Sequence, residues 1–264
     1  MKDNLFLVDS HCHLDRLDLI PLGGELSQVI KAAKEVGVGH FLNVCVHPKN
    51  FPHLLAMAID EPAMSVSVGL HPTEIITKEP TVEELVSYAQ HFKVVALGET
   101  GLDYYYDGAQ KEKQQLRFRR HIRAARQVRK PLIIHTRSAV QDTLTILEEE
   151  NAAEVGGVLH CFTEDLSMAQ TVIDKFNFYV SFSGILTFKN SKLIQQTAQQ
   201  LPLERLLIET DAPYLTPVPF RGKANQPAYV KYTAQKLADL HAVSLETVAH
   251  HTTTNFFKLF QCMH

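Results

Sequence analysis

Residues 7–15 read LVDSHCHLD, a short apolar start that runs into an acid, a hydroxyl and two histidines flanking Cys12. The same grammar recurs down the chain. MSVSVGLHP ends near His71, VVALGETGLD carries Glu99 and Asp103, LIIHTR carries His135 and Arg137, GVLHCF carries His160, and LLIETDAP carries Glu209 and Asp211. Short, nearly continuous apolar runs of this kind are what parallel strands buried on both faces require. Candidate strands fall at 5–9, 40–46, 64–69, 94–98, 132–134, 157–159, 178–182 and 206–208.

Helix signals fill the intervals. Leu26, Val29, Ile30, Ala33 and Val36 form one apolar stripe ahead of Gly37, a C-terminal stop. Thr81 and Glu84 have the spacing of a capping box. Phe118, Ile122, Ala125 and Val128 give a second stripe, ended by Pro131, and Leu144, Ile146 and Leu147 begin another. Helices over 230–240 and 248–260 close the chain. Eight strands alternating with helices, without a linker or low-complexity segment, predict one α/β domain over 1–264, a (β/α)8 TIM barrel. An open doubly wound sheet is the alternative, but no Gly-rich nucleotide fingerprint supports it. The loops after the fourth and eighth strands are expected to be the longest.

Composition narrows the function. The net charge of -3 gives no global basic field, so a purely electrostatic nucleic-acid binder is excluded and only a local basic site is compatible. Cys12, Cys45, Cys161 and Cys262 are widely spaced with no C-x-x-C pair, which fits a reduced compartment and a cytoplasmic protein. No run reaches membrane-spanning length, so no membrane association is expected. No obligate protein partner is implied.

In a barrel the carboxy ends of the strands converge on one mouth. Six metal-capable side chains are predicted there: His11, His13, Glu99, His135, His160 and Asp211. A lone histidine beside apolar residues is usually a satisfied core group, but six donors at one mouth point to metal. Side chains alternate along a strand, so His11 and His13 share a face while Cys12 points outward to the helices. The same period pairs Glu209 with Asp211 and makes Glu209 a second ligand or a supporting group; Asp9 is expected to support the histidines from behind. The donor set exceeds what one four-coordinate ion needs, so two divalent ions are expected, with Glu99 able to bridge them. The mixed nitrogen and oxygen set does not choose among Mg, Mn, Zn and Fe. The chemistry implied is hydrolysis by metal-activated water, with Asp211 holding or deprotonating the water and His71 donating a proton or contacting substrate.

These motifs together resemble the TatD family of metal-dependent deoxyribonucleases, in its YcfH-like branch within the amidohydrolase-like TIM barrels. LVDSHCHLD at 7–15, PLIIHTRSAV at 131–140 and LLIETDAPY at 206–214 carry the resemblance, with ALGETGLDYY at 96–105, GGVLHCF at 156–162 and RGKANQP at 221–227 beside them. The resemblance implies that His11, His13, Glu99, His135, His160 and Asp211 are the metal ligands. Where many amidohydrolases carry a carboxylated lysine after strand four, this chain carries Glu99, as TatD proteins do. Gln141 departs from the acid common after the HTR segment, with Asp142 adjacent. The family implies exonuclease-like hydrolysis of DNA dependent on Mg or Mn, with single-stranded DNA or DNA ends as the partner. An alternative keeps the metal site and cleaves an ester or amide, such as a D-aminoacyl-tRNA. Arg137, Arg221 and Lys223 are placed in mouth loops where they would grip phosphate, and Tyr104 in DYYYD (103–107) would stack on bases. The basic segment 111–130, with nine Lys or Arg and one Glu, is read as the solvated face of an outer helix.

Overall fold

In the computed structural model, which describes residues 5–105 and 110–261, the strands join in the order in which they occur along the chain. β1 (Leu7–Cys12), β2 (Val38–Asn43), β3 (Met64–Val68), β4 (Val94–Asp103), β5 (Leu132–Arg137), β6 (Gly157–Leu159), β7 (Phe178–Phe182) and β8 (Leu206–Ile208) each pair in parallel with the next. The seam between β8 and β1 is closed beyond the short β8, where Asp211 N–H donates to the His11 carbonyl at 2.9 Å and His13 N–H to the Ala212 carbonyl at 2.8 Å. The fold is the (β/α)8 barrel the sequence predicts. Its helices are α1 (Leu26–Glu35), α2 (Phe51–Asp60), α3 (Val82–Ala89), α4 (Lys111–Val128), α5 (Val140–Glu149), α6 (Leu166–Phe176), α7 (Lys192–Gln200), α8 (Val230–His241) and α9 (Leu245–Phe260). Among the described residues no helix is long and apolar enough to cross a membrane.

Strand alternation sorts the core into two bodies. Leu7, Phe41, Leu132, Ile134, Leu159 and Leu206 pack outward with the helices. Val8, Leu42, Ile133, Val158, Tyr179 and Leu207 instead meet Phe256 and Phe260 of α9 in a separate inner cluster. Followed two residues at a time towards the carboxy end, these inner rows change character. Ile133 is followed by His135 and Arg137, Val158 by His160, and Leu207 by Glu209 and Asp211. One face of each of these three strands therefore supplies apolar packing low in the barrel and chemistry at its mouth.

Two strands run further than their apolar runs. β4 continues through Gly98 and Gly101 to Asp103, and β5 continues to Arg137. The glycines look like breakers in sequence, but here they allow close approach. An added Cβ would strike the Ile133 carbonyl from Gly98 and the His135 carbonyl from Gly101, and both have positive φ. The extension leaves only 104–110 between β4 and α4. The expected long loop after the fourth strand is thus absent, while 13–25, 69–81 and 209–229 are longer. β1 and β2 are also displaced from expectation, because Val44 and Val46 are buried loop residues beyond the ladder. The Thr81–Glu84 capping box forms as read, with Thr81 N–H donating to Glu84 Oε2 at 2.8 Å and Glu84 N–H to Thr81 Oγ1 at 3.2 Å.

Candidate metal centre

β1, β4, β5, β6 and the segment after β8 bring His11, His13, Glu99, His135, His160 and Asp211 together at the mouth, and the loop after β3 adds His71. Glu99 is at the middle. Its Oε2 faces His11 Nε2 at 3.4 Å and His13 Nε2 at 3.7 Å. Its Oε1 faces His160 Nε2 at 2.8 Å, His71 Nε2 at 3.3 Å and His135 Nδ1 at 3.4 Å. One carboxylate thus divides five imidazoles into two groups. Asp211 Oδ1 joins the first group, 3.4 Å from His13 Nε2 and 3.8 Å from His11 Nε2. Burial would raise the Glu99 carboxyl, but His160, His71, His11 and His135 hold it well below the usual carboxylate range.

The geometry fits cations. His11 Nε2 and His13 Nε2 are 3.2 Å apart, close to the roughly 3.0–3.4 Å that separates two nitrogens bound to one ion at about 2.1 Å. His160 Nε2 is buried without a hydrogen bond even though Glu99 Oε1 is near, so the two atoms are aimed at a shared point rather than at each other. His11 Nδ1 is likewise buried and unpaired among the described residues. Three donor sets, His11/His13/Glu99, His71/Glu99/His135 and His11/His160/Asp211, each have their atoms within 4.8 Å of one another.

The far nitrogens set the tautomers. His13 Nδ1–H donates to the Val44 carbonyl at 3.0 Å, His135 Nε2–H to Asp103 Oδ2 at 3.0 Å, and His160 Nδ1–H to Glu209 Oε1 at 3.3 Å. Each leaves a lone pair facing Glu99, the arrangement of a metal ligand. Burial opposes protonation of His160 and His135, but Glu99 with Glu209 raises the first and Asp103 with Glu99 raises the second. His71 is wired in reverse. Its Nδ1 accepts from Thr73 N–H at 3.3 Å and bonds Thr73 Oγ1 at 2.8 Å, which assigns its proton to Nε2, the nitrogen that faces Glu99.

The supporting residues differ partly from expectation. Glu209 backs His160 and is itself bonded by Ser181 Oγ. Asp9 does not back the histidine rings. A register shift between Asp9 and Cys12 turns it towards Thr210, whose N–H and hydroxyl donate to it at 2.9 and 2.5 Å, and it touches only the backbone N–H of His11, at 3.4 Å. Burial pushes the Asp9 carboxyl up to about 8, against the Thr210 hydrogen bonds. Cys12 packs outward in the helix-side core, its Sγ on the Leu42 carbonyl at 3.4 Å.

Of the expected substrate contacts, Arg137 lines the cavity. Arg221 and Lys223 do not; Arg221 lies 4.0 Å over the Phe188 ring and donates to the Thr216 carbonyl, and Lys223 lies beside Phe220. Tyr104 turns away as well, its hydroxyl donating to Asp142 Oδ2 at 2.8 Å, so Asp142 serves α5 packing rather than the centre. Gln141 is exposed and bonds Thr145. Tyr106 and Asp107 of the DYYYD stretch, and Cys262, lie outside the described residues.

Asp103, named from sequence at the end of strand four but given no role, and Arg117, read as part of a solvated face, both support the site. Asp103 is reached only because β4 extends past its glycines, and Gln114 of α4 clips it from both sides, accepting from its N–H and donating to its carbonyl. Arg117 belongs to the basic run read as a solvated face, yet it is 2% exposed. Its guanidinium binds the carbonyls of His71, Pro72 and Glu74 and grips Glu79 with two nitrogens. All five N–H donors hold the loop that carries His71. Arg119, Arg123 and Arg126 on the same helix do face outward, pairing with Glu149, Glu150 and Glu154 of the next unit.

Comparison with known proteins agrees with this geometry. The family model described as TatD related DNase matches residues 8–261. The uncharacterized metal-dependent hydrolase YcfH of Escherichia coli (strain K12) is 46% identical, over 97% of this chain and 96% of its own. An uncharacterized metal-dependent hydrolase of Buchnera aphidicola is 45% identical over the same shares of the two chains. The crystal structure of YjjV, a TatD homologue from Escherichia coli K12, superposes with a TM-score of 0.89 at 27% identity, covering 97% of this chain and 98% of that one.

Proposed function

The chain belongs to the TatD family of metal-dependent hydrolases, and from that premise we propose that it is a phosphodiesterase that hydrolyses DNA from its ends at a dinuclear metal centre. The observation that carries this reading is the division of the histidines by the two oxygens of Glu99. His11, His13 and Asp211 would hold one ion, His135 and His160 the other, and Glu99 would bridge them. Divalent ions there supply Lewis acidity, polarising a phosphoryl oxygen and acidifying a water near neutral pH.

The rest falls to the chain's own groups. Burial favours a neutral Asp211, but His13, His11 and His160 hold its carboxyl below its ordinary range, so it is ionised and able to orient the attacking water and accept its proton. His71 presents Nε2–H to the cavity and donates to the oxygen that leaves. Burial lowers the His71 pKa, so the imidazole is neutral and steadies the leaving oxygen through a hydrogen bond from Nε2–H, while the proton that oxygen needs comes from solvent. Around the acidic centre the cavity wall carries Arg16, Lys113 and Arg137, which favours an anionic substrate despite the negative net charge.

The test is release of nucleotides from 3′- or 5′-labelled single-stranded DNA with Mg, Mn or Zn, beside a D-aminoacyl-tRNA in the same preparation. Metal-dependent nucleotide release that is lost in Glu99→Ala supports the reading. A folded, metal-loaded protein that releases no nucleotide but deacylates the tRNA overturns it in favour of ester cleavage.

A further inference from the structure

The cations of RGKANQP, 221–227, turn from the cavity, yet the same stretch sends one polar side chain into the protein. Asn225 is 0% exposed and uses both hydrogens of its amide. Nδ2 donates to the Thr210 carbonyl at 2.9 Å and also to the Tyr214 carbonyl. Oδ1 accepts from Gln226 N–H at 2.9 Å, which fixes the way the amide faces. The residues that directly follow those two carbonyls, Asp211 and Leu215, are both left-handed, with φ of 55° and 54°. A carbonyl shares its planar peptide with the next residue's nitrogen, so Asn225 holds the plane from which each left-handed residue departs. Neither residue is glycine, and side chains disfavour this conformation, most of all one as bulky as leucine. Such residues persist where their surroundings over-determine them. From this turn Asp211 N–H reaches the His11 carbonyl at 2.9 Å, and Asp211 Oδ1 comes to 3.4 Å from His13 Nε2. The rest of the stretch folds back on the same segment. Arg221 donates to the Thr216 carbonyl at 2.9 Å, and Thr216 Oγ1 donates to the Lys223 carbonyl at 2.8 Å.

We propose that Asn225 is a positioning residue for the first ion: it holds the left-handed turn from which the Asp211 carboxylate meets His11 and His13. This rests on the ligand set given above and not on which bond the centre cuts. Without the two amide hydrogens, the buried Thr210 and Tyr214 peptides lose their shared donor and can turn. Asp211 then relaxes towards right-handed backbone, and its carboxylate leaves the two histidines. His135 and His160 stand on β5 and just beyond β6, away from this turn, so the second ion is spared.

The experiment titrates the metal-free protein with Mn by calorimetry, reading the affinity of each ion, beside thermal unfolding. Wild type is compared with Asn225→Leu, which keeps the volume without a donor, the milder Asn225→Ser, Asp211→Ala, and Asn225→Ser combined with Asp211→Ala. Asn255→Leu is the control, because Asn255 makes a similar clip at the amino end of β8, donating to the Leu203 and Leu206 carbonyls, both at 2.8 Å. Each Asn225 variant is expected to weaken one ion about 10–100-fold and leave the other within about twofold. Asn255→Leu should lower the melting temperature while both affinities hold. In the combined variant the weakened ion should bind within about twofold of Asp211→Ala alone, because the residue through which Asn225 acts is gone. Two ions in wild type, with both affinities unchanged in the Asn225 variants, overturn the role of Asn225 and leave the ligand set standing. Equal weakening of both ions, or a further loss of about 10-fold on top of Asp211→Ala, overturns it too. Fewer than two ions in wild type overturns the ligand set and this role together. Nucleotide release is not read, so a failure of the phosphodiesterase reading leaves the result in place.

Discussion

The two sides of Glu99 are built from similar residues but supported differently. On the side of His11 and His13, the one oriented imidazole leans on a backbone carbonyl, that of Val44, and the ligands ride on the seam where β1 meets the segment after β8. On the side of His135 and His160, each imidazole is backed by a buried carboxylate, Asp103 or Glu209. A carbonyl orients a histidine; a carboxylate also raises its basicity and adds charge. The first side therefore depends on barrel closure, and the second on individual side chains that can be replaced one at a time.

The largest effect should come from the residue that both sides share. Glu99→Ala is expected to release both ions and abolish hydrolysis, whereas His11→Ala should lose one; elemental analysis of the purified variants distinguishes them. His71→Asn should lower kcat by about 10²–10³-fold, the usual range for losing one hydrogen-bond donor to an oxygen on which charge develops. Metal content should hold in this variant, because its tautomer makes His71 a donor and not a ligand.

The His71 loop has a pH-sensitive support of its own. His121 is buried with Nε2 accepting from Leu70 N–H at 3.1 Å and Nδ1–H donating to the Arg117 carbonyl at 2.8 Å; burial pulls its pKa down to about 4. The unfolded chain, with an ordinary histidine near 6.5, binds the proton first as pH falls. Stability from this group is complete above about 6.5 and is lost towards 4, a change of about 3 kcal/mol. Urea unfolding across this range should show the slope in wild type and a shallower one in His121→Gln.

Asp103→Asn keeps the shape of the His135 support and removes its charge. A fall of about 10–100-fold in affinity for one of two ions is expected by metal titration, with the other unchanged. The smallest effect belongs to Cys12→Ala, which removes a thiol from the helix-side core. It should cost about 1 kcal/mol in thermal unfolding and leave both metal content and activity in place. Loss of metal in that variant would contradict the outward placement of Cys12.

The barrel was legible because buried parallel strands are written as apolar runs, and three of them, β6, β7 and β8, have the bounds their sequence suggests. The six donors were legible because they end the apolar runs; alternation carries the inner rows of β5, β6 and β8 to His135, His160 and Asp211, whereas His11, His13 and Glu99 reach the mouth across register shifts in β1 and β4. Asp103 was visible at the end of strand four, but its role behind His135 was hidden by Gly98 and Gly101, which serve close strand approach rather than chain reversal. Arg117 was hidden by composition, although its spacing gave a signal. Arg117 and His121 lie four residues apart on the stripe of Phe118, Ile122 and Ala125, so a helical wheel puts them on the inner edge of an otherwise basic helix. Asp9 could not be placed from sequence, because its partner Thr210 meets it only when the barrel closes. The turning away of Tyr104, Arg221 and Lys223 also depends on loop packing that no local pattern encodes.

The division of the centre by Glu99 is tested most directly by counting metal ions per chain, by elemental analysis after loading with Mn or Zn, in wild type and in Glu99→Ala. Two ions in wild type and none held after gel filtration in the variant is the predicted result. A single ion in wild type, or two retained without Glu99, would contradict it.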